Sequence, residues 1–91
     1  MKISSSTSFK HRLKKFTRRN KELADAIDTQ LARLQKDPTH PSLRLHKLSG
    51  RKNEWSVSIS DSDRMIVRYT DDGLLLIDLG SHDECIQRNN I

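Results

Sequence analysis

Six side chains in this sequence bring proton-transferring or phosphate-matching groups close enough in the chain to suit acid–base chemistry: His46, Asp61, Asp63, Arg64, Arg68 and His82. No strong local motif accompanies them. The sequence has no glycine-rich phosphate loop, no paired cysteines, no HExxH and no GxSxG. The chemistry must therefore come from a constellation. Arg64 opens the stretch "RMIVRY", which alternates as a strand, with Met65, Val67 and Tyr69 on one face and Arg64, Ile66 and Arg68 on the other. Asp61 and Asp63 belong to the turn before it, and His82 lies just past the last apolar run. If those runs form a meander, the "DSD" turn and the segment after Leu79 lie at the same end of the sheet. His82, Arg64 and one aspartate then become neighbours.

Such a trio suits RNA hydrolysis without a metal. The ribose 2′-hydroxyl is the nucleophile, so the protein supplies a base, an acid for the departing 5′-oxygen, and cations for the charge on phosphorus. Histidine fills either proton role near neutral pH, and the planar arginine fork matches phosphate. Each residue also has a plainer reading: surface histidines, turn aspartates, and an Arg64 paired with Asp61 or Asp63.

The elements that would position these groups emerge from periodicity. "KISSSTS" is β-compatible and suits an edge strand. Phe9, Leu13 and Phe16 recur at helical spacing, with Thr7 or Ser8 as cap. Leu23, Ile27, Leu31 and Leu34 mark a second helix capped by Asn20. Pro38 and Pro41 end it, and the helices form a hairpin jointed at "TRRN". The period then changes to two. "EWSVSIS", "RMIVRYT" and "LLLIDL" read as three strands, the last of them central, joined by "DSD" and "DDG" turns. "GSHDECIQRNNI" reads as a loop or short helix. The expected fold is α+β: an N-terminal helical hairpin packed on one face of a small antiparallel sheet, as one domain over residues 1–91. Trp55, Val57, Ile59, Met65, Val67 and Tyr69 face the helices, leaving Ser56, Ser58, Arg64 and Arg68 on the open side.

Composition bounds the function classes. The length allows one small domain with a thin core. One cysteine, Cys85, excludes an internal disulfide framework and gives no metal spacing. "MKISSSTSF" lacks a signal-peptide core and no run is long enough to span a bilayer, so a soluble cytoplasmic protein with no membrane partner is expected. The net charge of +5 is uneven: residues 1–54 carry 14 Lys/Arg against 5 Asp/Glu, and residues 55–91 carry 3 against 7. A basic half of this strength favours a polyanion, either nucleic acid or an acidic protein segment, over a merely solvated surface.

The run from His46 to Glu84 resembles the C-terminal half of the RelE/ParE superfamily of type II toxin–antitoxin toxins. The resemblance rests on His46–Lys47–Leu48–Gly50, the alternating Trp55–Ile59, Arg64–Val67–Tyr69, "TDDG", "LLLIDL" and Gly80–His82. With the helical hairpin it covers nearly the whole chain and is nearest the RelE/YafQ-like branch. It implies a ribosome-dependent mRNA endoribonuclease with no cofactor, held inactive by an acidic antitoxin. By the same resemblance, Arg64 acts at the scissile phosphate, His82 in proton transfer, and His46 and Asp61 (or Asp63) as base or orienter. Arg68, Arg51, Lys52, Lys47, Arg44, Lys10, Lys14 and Arg18 would bind RNA, together with Arg12, Lys15 and Arg19. Ser56 and Ser58 stand where RelE-like members carry lysines, or a histidine at one position, and the usual C-terminal aromatic is absent near Ile86 and Arg88. Both departures favour a histidine-based mechanism. The alternatives within the superfamily are a ParE-like gyrase inhibitor without nuclease activity and a degenerate, non-toxic antitoxin-binding module.

Overall fold

The structure, a computed structural model, describes residues 2–89, with side chains as far as Cys85. Ile86 and Arg88, which stand near the place of the missing aromatic, have side chains outside that range. The chain runs β1 (Lys2–Ser5), α1 (Thr7–Thr17), α2 (Lys21–Lys36), a 3-10 turn (Pro41–Leu43), β2 (His46–Lys47), β3 (Glu54–Ser58), β4 (Asp63–Thr70), β5 (Gly73–Ser81) and α3 (His82–Asn89).

The helical hairpin forms as expected, with one change at its start. Ser6, rather than Thr7 or Ser8, caps α1: its Oγ accepts from the Phe9 amide at 3.0 Å, because Thr7 and Ser8 already lie within the helix. Asn20 caps α2 through the Leu23 amide at 3.0 Å. Phe9, Ile27 and Leu34 bury their side chains against Val57, Ile59, Met65, Val67, Leu74, Leu76 and Leu79, with Trp55 and Tyr69 at the margin. The alternating face read from the sequence is thus the face on the helices.

The sheet departs from an all-antiparallel one. Its order is β1-β5-β4-β3-β2; the β2–β3, β3–β4 and β4–β5 pairs are antiparallel, but β1 runs parallel to β5. The helical hairpin is the reason, since it returns the chain to the far side of the sheet and makes the long connection a parallel pair requires. The two-residue β2, too short to show a period, extends the sheet at its other edge.

Two details near the end of β5 build the sheet face opposite α1 and α2. Ile66 pairs with Asp78 and Val67 with Leu76, so Ile77 is an extra residue in a bulge. Ile77 packs against a second cluster of Leu48, Ile66 and Cys85, separate from the main core. The tail is a helix begun by a reciprocal cap: the Glu84 amide donates to Ser81 Oγ and the Ser81 amide to Glu84 Oε1, both at 3.2 Å. α3 carries Cys85, which is 1% exposed, onto the sheet face expected to be open.

That face also carries an ion trio. Glu54, buried at the start of β3, accepts from Arg68 Nη2 at 2.6 Å and from Arg51 Nη1 at 3.0 Å. Burial pushes the Glu54 carboxyl up, but the hydrogen bonds and charges of Arg68 and Arg51 outweigh it and hold the group below the ordinary glutamate value. Among the described residues no helix is long and apolar enough to cross a membrane.

Two outcomes are expected from this architecture. A Cβ on Gly73 would collide with the Lys2 carbonyl oxygen, so Gly73→Ala must part β1 from β5. Urea denaturation should show a loss of about 1–3 kcal/mol, and an unchanged midpoint would contradict the close approach. Glu54→Gln should cost roughly 1–3 kcal/mol at neutral pH, discounted because both arginines are partly solvated. A depressed carboxyl stabilises the fold above the unfolded-state value, and that contribution is lost as pH falls through the folded-state value. The gap between wild type and Glu54→Gln should therefore narrow in acid; a gap that widens would contradict the trio.

Candidate functional site

β2, β3 and β4 set the floor of a pocket on the sheet face opposite α1 and α2. His46 pairs with Ser56, and Ser56 with Ile66, so the three form one cross-strand row. Arg64 stands in the next row, paired with Ser58 on one side and Gly80 on the other. The end of β5 brings His82 in as the first residue of α3, where its amide donates to the Ser62 carbonyl at 2.9 Å. Together with Arg44, Leu48, Ser49 and Cys85 these residues enclose about 440 Å³.

The lining divides by chemistry. Leu48, Ile66 and Cys85 give an apolar floor, whereas Arg44, Arg64, His46 and His82 surround it with nitrogen donors. Among the described residues none that lines the pocket is acidic. An anion is the ligand such a pocket favours, because the charged side chains among its described lining are the cations Arg44 and Arg64.

Arg64 is the most constrained of the four. Its Nε donates to Ser56 Oγ at 2.5 Å and its Nη2 to the Arg44 carbonyl at 3.2 Å. That carbonyl is aimed by a left-handed backbone at Arg44, φ 43° and ψ 48°, which ends the 3-10 turn after Pro41. Burial lowers the Arg64 guanidinium's pKa, the Arg44 charge lowers it further, and Cys85 acts in the opposite sense. A guanidinium stays charged through such a shift, so partial burial strengthens its field without discharging it.

The residues named from the sequence divide among several places. His46, Arg64 and His82 converge on the pocket, and Arg44 joins them. Asp61 does not: it lines a neighbouring groove with Gln30, Arg33, Ser42 and Ser58. Asp63 accepts from the Ser60 hydroxyl at 2.9 Å. The expected grouping of His82, Arg64 and one aspartate is thus corrected. The turn from Ser60 to Asp63 closes on itself, and neither Asp61 nor Asp63 lines the pocket.

Arg68 and Arg51 are committed to Glu54, and Arg12 Nε lies 2.9 Å from Asp78 Oδ1. Lys47 and Lys52 are exposed near the β2–β3 connection. Lys10 and Lys14 on α1 and Arg18 at its C-terminal cap are exposed, and Lys14 and Arg18 line a shallow basic groove with His11 and Lys15. Since α1 packs on the other sheet face, this basic surface is distinct from the pocket.

Leu48, Ser49, Ile66 and Cys85 were absent from the sequence-derived set. Alternation already placed Ile66 beside Arg64, and "SHDE" carries the Ser-x-x-Glu spacing of a capping box, which would have brought Cys85 back over the sheet.

No family model matches the chain, and no curated protein matches it significantly. Solved structures do. The Escherichia coli DinJ–YafQ complex contains a chain 20% identical over 91% of this chain and 94% of that one, with a TM-score of 0.78. A YoeB/ParE toxin from Agrobacterium tumefaciens is 20% identical over 90% and 99%, with a TM-score of 0.79. The YoeB–YefM complex from Staphylococcus aureus contains a chain 18% identical over 90% and 97%, with a TM-score of 0.76. At these identities the likeness is one of fold and extends over nearly the full length of both partners. Five strands in this order, a helical hairpin on one face and a short helix closing the other give the chain the fold of the RelE/ParE-type toxins.

Proposed function

We propose that this protein is the toxin of a type II toxin–antitoxin pair and acts as a ribosome-dependent mRNA endoribonuclease. The observation that carries the proposal is the pocket in which two arginines and two histidines surround one apolar floor, with no acid among its described lining. Arg64, held by Ser56 and the Arg44 carbonyl, binds the scissile phosphate and takes up the charge that grows on its oxygens. His46 removes the proton from the ribose 2′-hydroxyl. The 2′-oxygen attacks phosphorus, the bond to the 5′-oxygen breaks, and His82 donates a proton to that leaving oxygen. The products are a 2′,3′-cyclic phosphate and a 5′-hydroxyl. His46 takes the base role because Asp61 stands in the adjacent groove.

The exposed cations of α1, Lys10, Lys14, Lys15 and Arg18, supply the salt-sensitive attraction to ribosomal RNA phosphates. An acidic antitoxin is the natural counterpart of the same charge. The solved relatives include a DinJ–YafQ and a YoeB–YefM complex, which supports a protein partner here as well. The reading places the protein in the cytoplasm, where its message is translated.

The test is a cell-free translation reaction with message ends mapped by primer extension. Wild-type protein should produce new cuts at ribosome-occupied codons, and His82→Ala should reduce the cleavage rate by roughly 100-fold or more, the range of general acid–base catalysis. An intact message together with arrested gyrase supercoiling would replace this reading with gyrase inhibition. Neither effect, with antitoxin binding retained, would leave a non-toxic binding module.

A further inference from the structure

Ser56 is 5% exposed, yet it lines the pocket. Its Oγ accepts from Arg64 Nε, and among the described residues its own hydroxyl proton has no acceptor. A buried donor left without a partner is costly, so a ligand atom that accepts from it gains more than a solvent-exposed contact would supply. The bond from a cationic donor also polarises the hydroxyl and makes it a stronger donor in turn. Cys85 and Ile66, the apolar residues beside it, offer no competing oxygen from their side chains.

The same bond decides how Arg64 meets its ligand. A guanidinium presents two forks, one formed by Nε with its near Nη and one formed by the two terminal nitrogens. Ser56 occupies Nε, and the Arg44 carbonyl takes one proton of Nη2. The side-on fork is therefore closed, and the end-on edge is the one that keeps a nitrogen, Nη1, without a partner among the described residues.

We propose that Ser56 is a phosphate-binding residue of this pocket, donating its hydroxyl proton to one non-bridging oxygen while Arg64, fixed by the same hydroxyl, engages the phosphate end-on. The inference rests on the nuclease reading, in that it takes the ligand to be an RNA phosphodiester. Ser56 transfers no proton to the products and forms no covalent bond. It holds the phosphate where His46 and His82 reach the two oxygens that exchange. Its neighbour on the strand, Ser58, has no such position: the Ser58 hydroxyl donates to the Ser60 carbonyl at 3.1 Å, and the residue lines the adjacent groove.

The test compares wild type, Ser56→Ala, Ser56→Thr and Ser58→Ala by two measurements. One is binding of a short 2′-O-methyl oligoribonucleotide, which lacks the nucleophile and is not cut; the other is cleavage in the translation reaction. Ser56→Ala should weaken probe binding and slow cleavage roughly 10- to 100-fold, the worth of a hydrogen bond to a charged group. Ser56→Thr, which keeps the hydroxyl, should recover most of that loss, and Ser58→Ala should match wild type. Nitrogen-15 NMR of the Arg64 Nε–H reports the fixing bond directly. The signal should be protected in wild type and Ser56→Thr and lose protection in Ser56→Ala, while the amide spectrum shows all variants folded.

A Ser56→Ala variant that binds and cuts like wild type overturns the inference, as does a Ser56→Thr variant as weak as Ser56→Ala, or a wild-type protein that fails to bind the probe. The two readings fail separately. Ser56-dependent probe binding without any cleavage removes the nuclease and leaves the phosphate site, whereas cleavage indifferent to Ser56 leaves the nuclease and removes this role.

Discussion

A guanidinium held flat on a half-buried sheet face needs acceptors, and most arginines find them in carboxylates. Arg64 finds a serine hydroxyl and a backbone carbonyl instead. Neither carries a full negative charge, so the cation is fixed in place without being neutralised. The surrounding structure serves this arrangement. β3 supplies Ser56 in the row beside Arg64, the left-handed residue after the 3-10 turn aims the Arg44 carbonyl, and α3 brings Cys85 down to dry the floor. Arg68, two pleats along the same strand, shows the opposite solution. Its partner Glu54 takes the charge away, and Arg68 becomes part of the frame.

This division sorts the cations of the chain by task. Arg12, Arg51 and Arg68 face acidic partners across element boundaries and tie those elements together. Arg64 and Arg44 line a pocket with no acid among the described residues. Lys10, Lys14 and Lys15 of α1, with Arg18 just beyond it, stay exposed on the far side of the sheet, where they act at long range and are screened by salt. One small domain thereby presents two cationic surfaces of different character. One is diffuse and suited to any polyanion; the other is enclosed and shaped to one anionic group. The proposed nuclease, which would first reach a large RNA assembly and then hold a single phosphate, needs both.

Much of this was legible in the sequence. Period-two alternation assigned the faces of β3 and β4 correctly, because one face packs on the helices and the other carries the site. Asn20 and the two prolines located the ends of α2. Reading fell short where position depends on long-range pairing. The direction of β1 depends on which strand it joins, and nothing in "KISS" encodes that. The "DSD" turn lies at the site's end of the sheet, which suggests Asp61 for the site, whereas the hydrogen bonds between Ser60 and Asp63 close that turn on itself. Arg51 and Arg68 read as free cations until Glu54, distant from Arg68 in the chain, proved to lie between them. Ser56 looked like a missing catalytic group when considered alone, and its value appears only beside Arg64.

In the proposed reaction the enclosed pocket, rather than the basic helix, receives the RNA phosphate at which chemistry occurs. Chemical-shift mapping of the wild-type protein with a short 2′-O-methyl oligoribonucleotide tests this most directly. The account requires the largest changes at His46, Ser56, Arg64 and His82, with smaller, salt-sensitive changes along α1. Changes confined to the Lys10–Arg19 surface, with the pocket resonances unmoved, would contradict it.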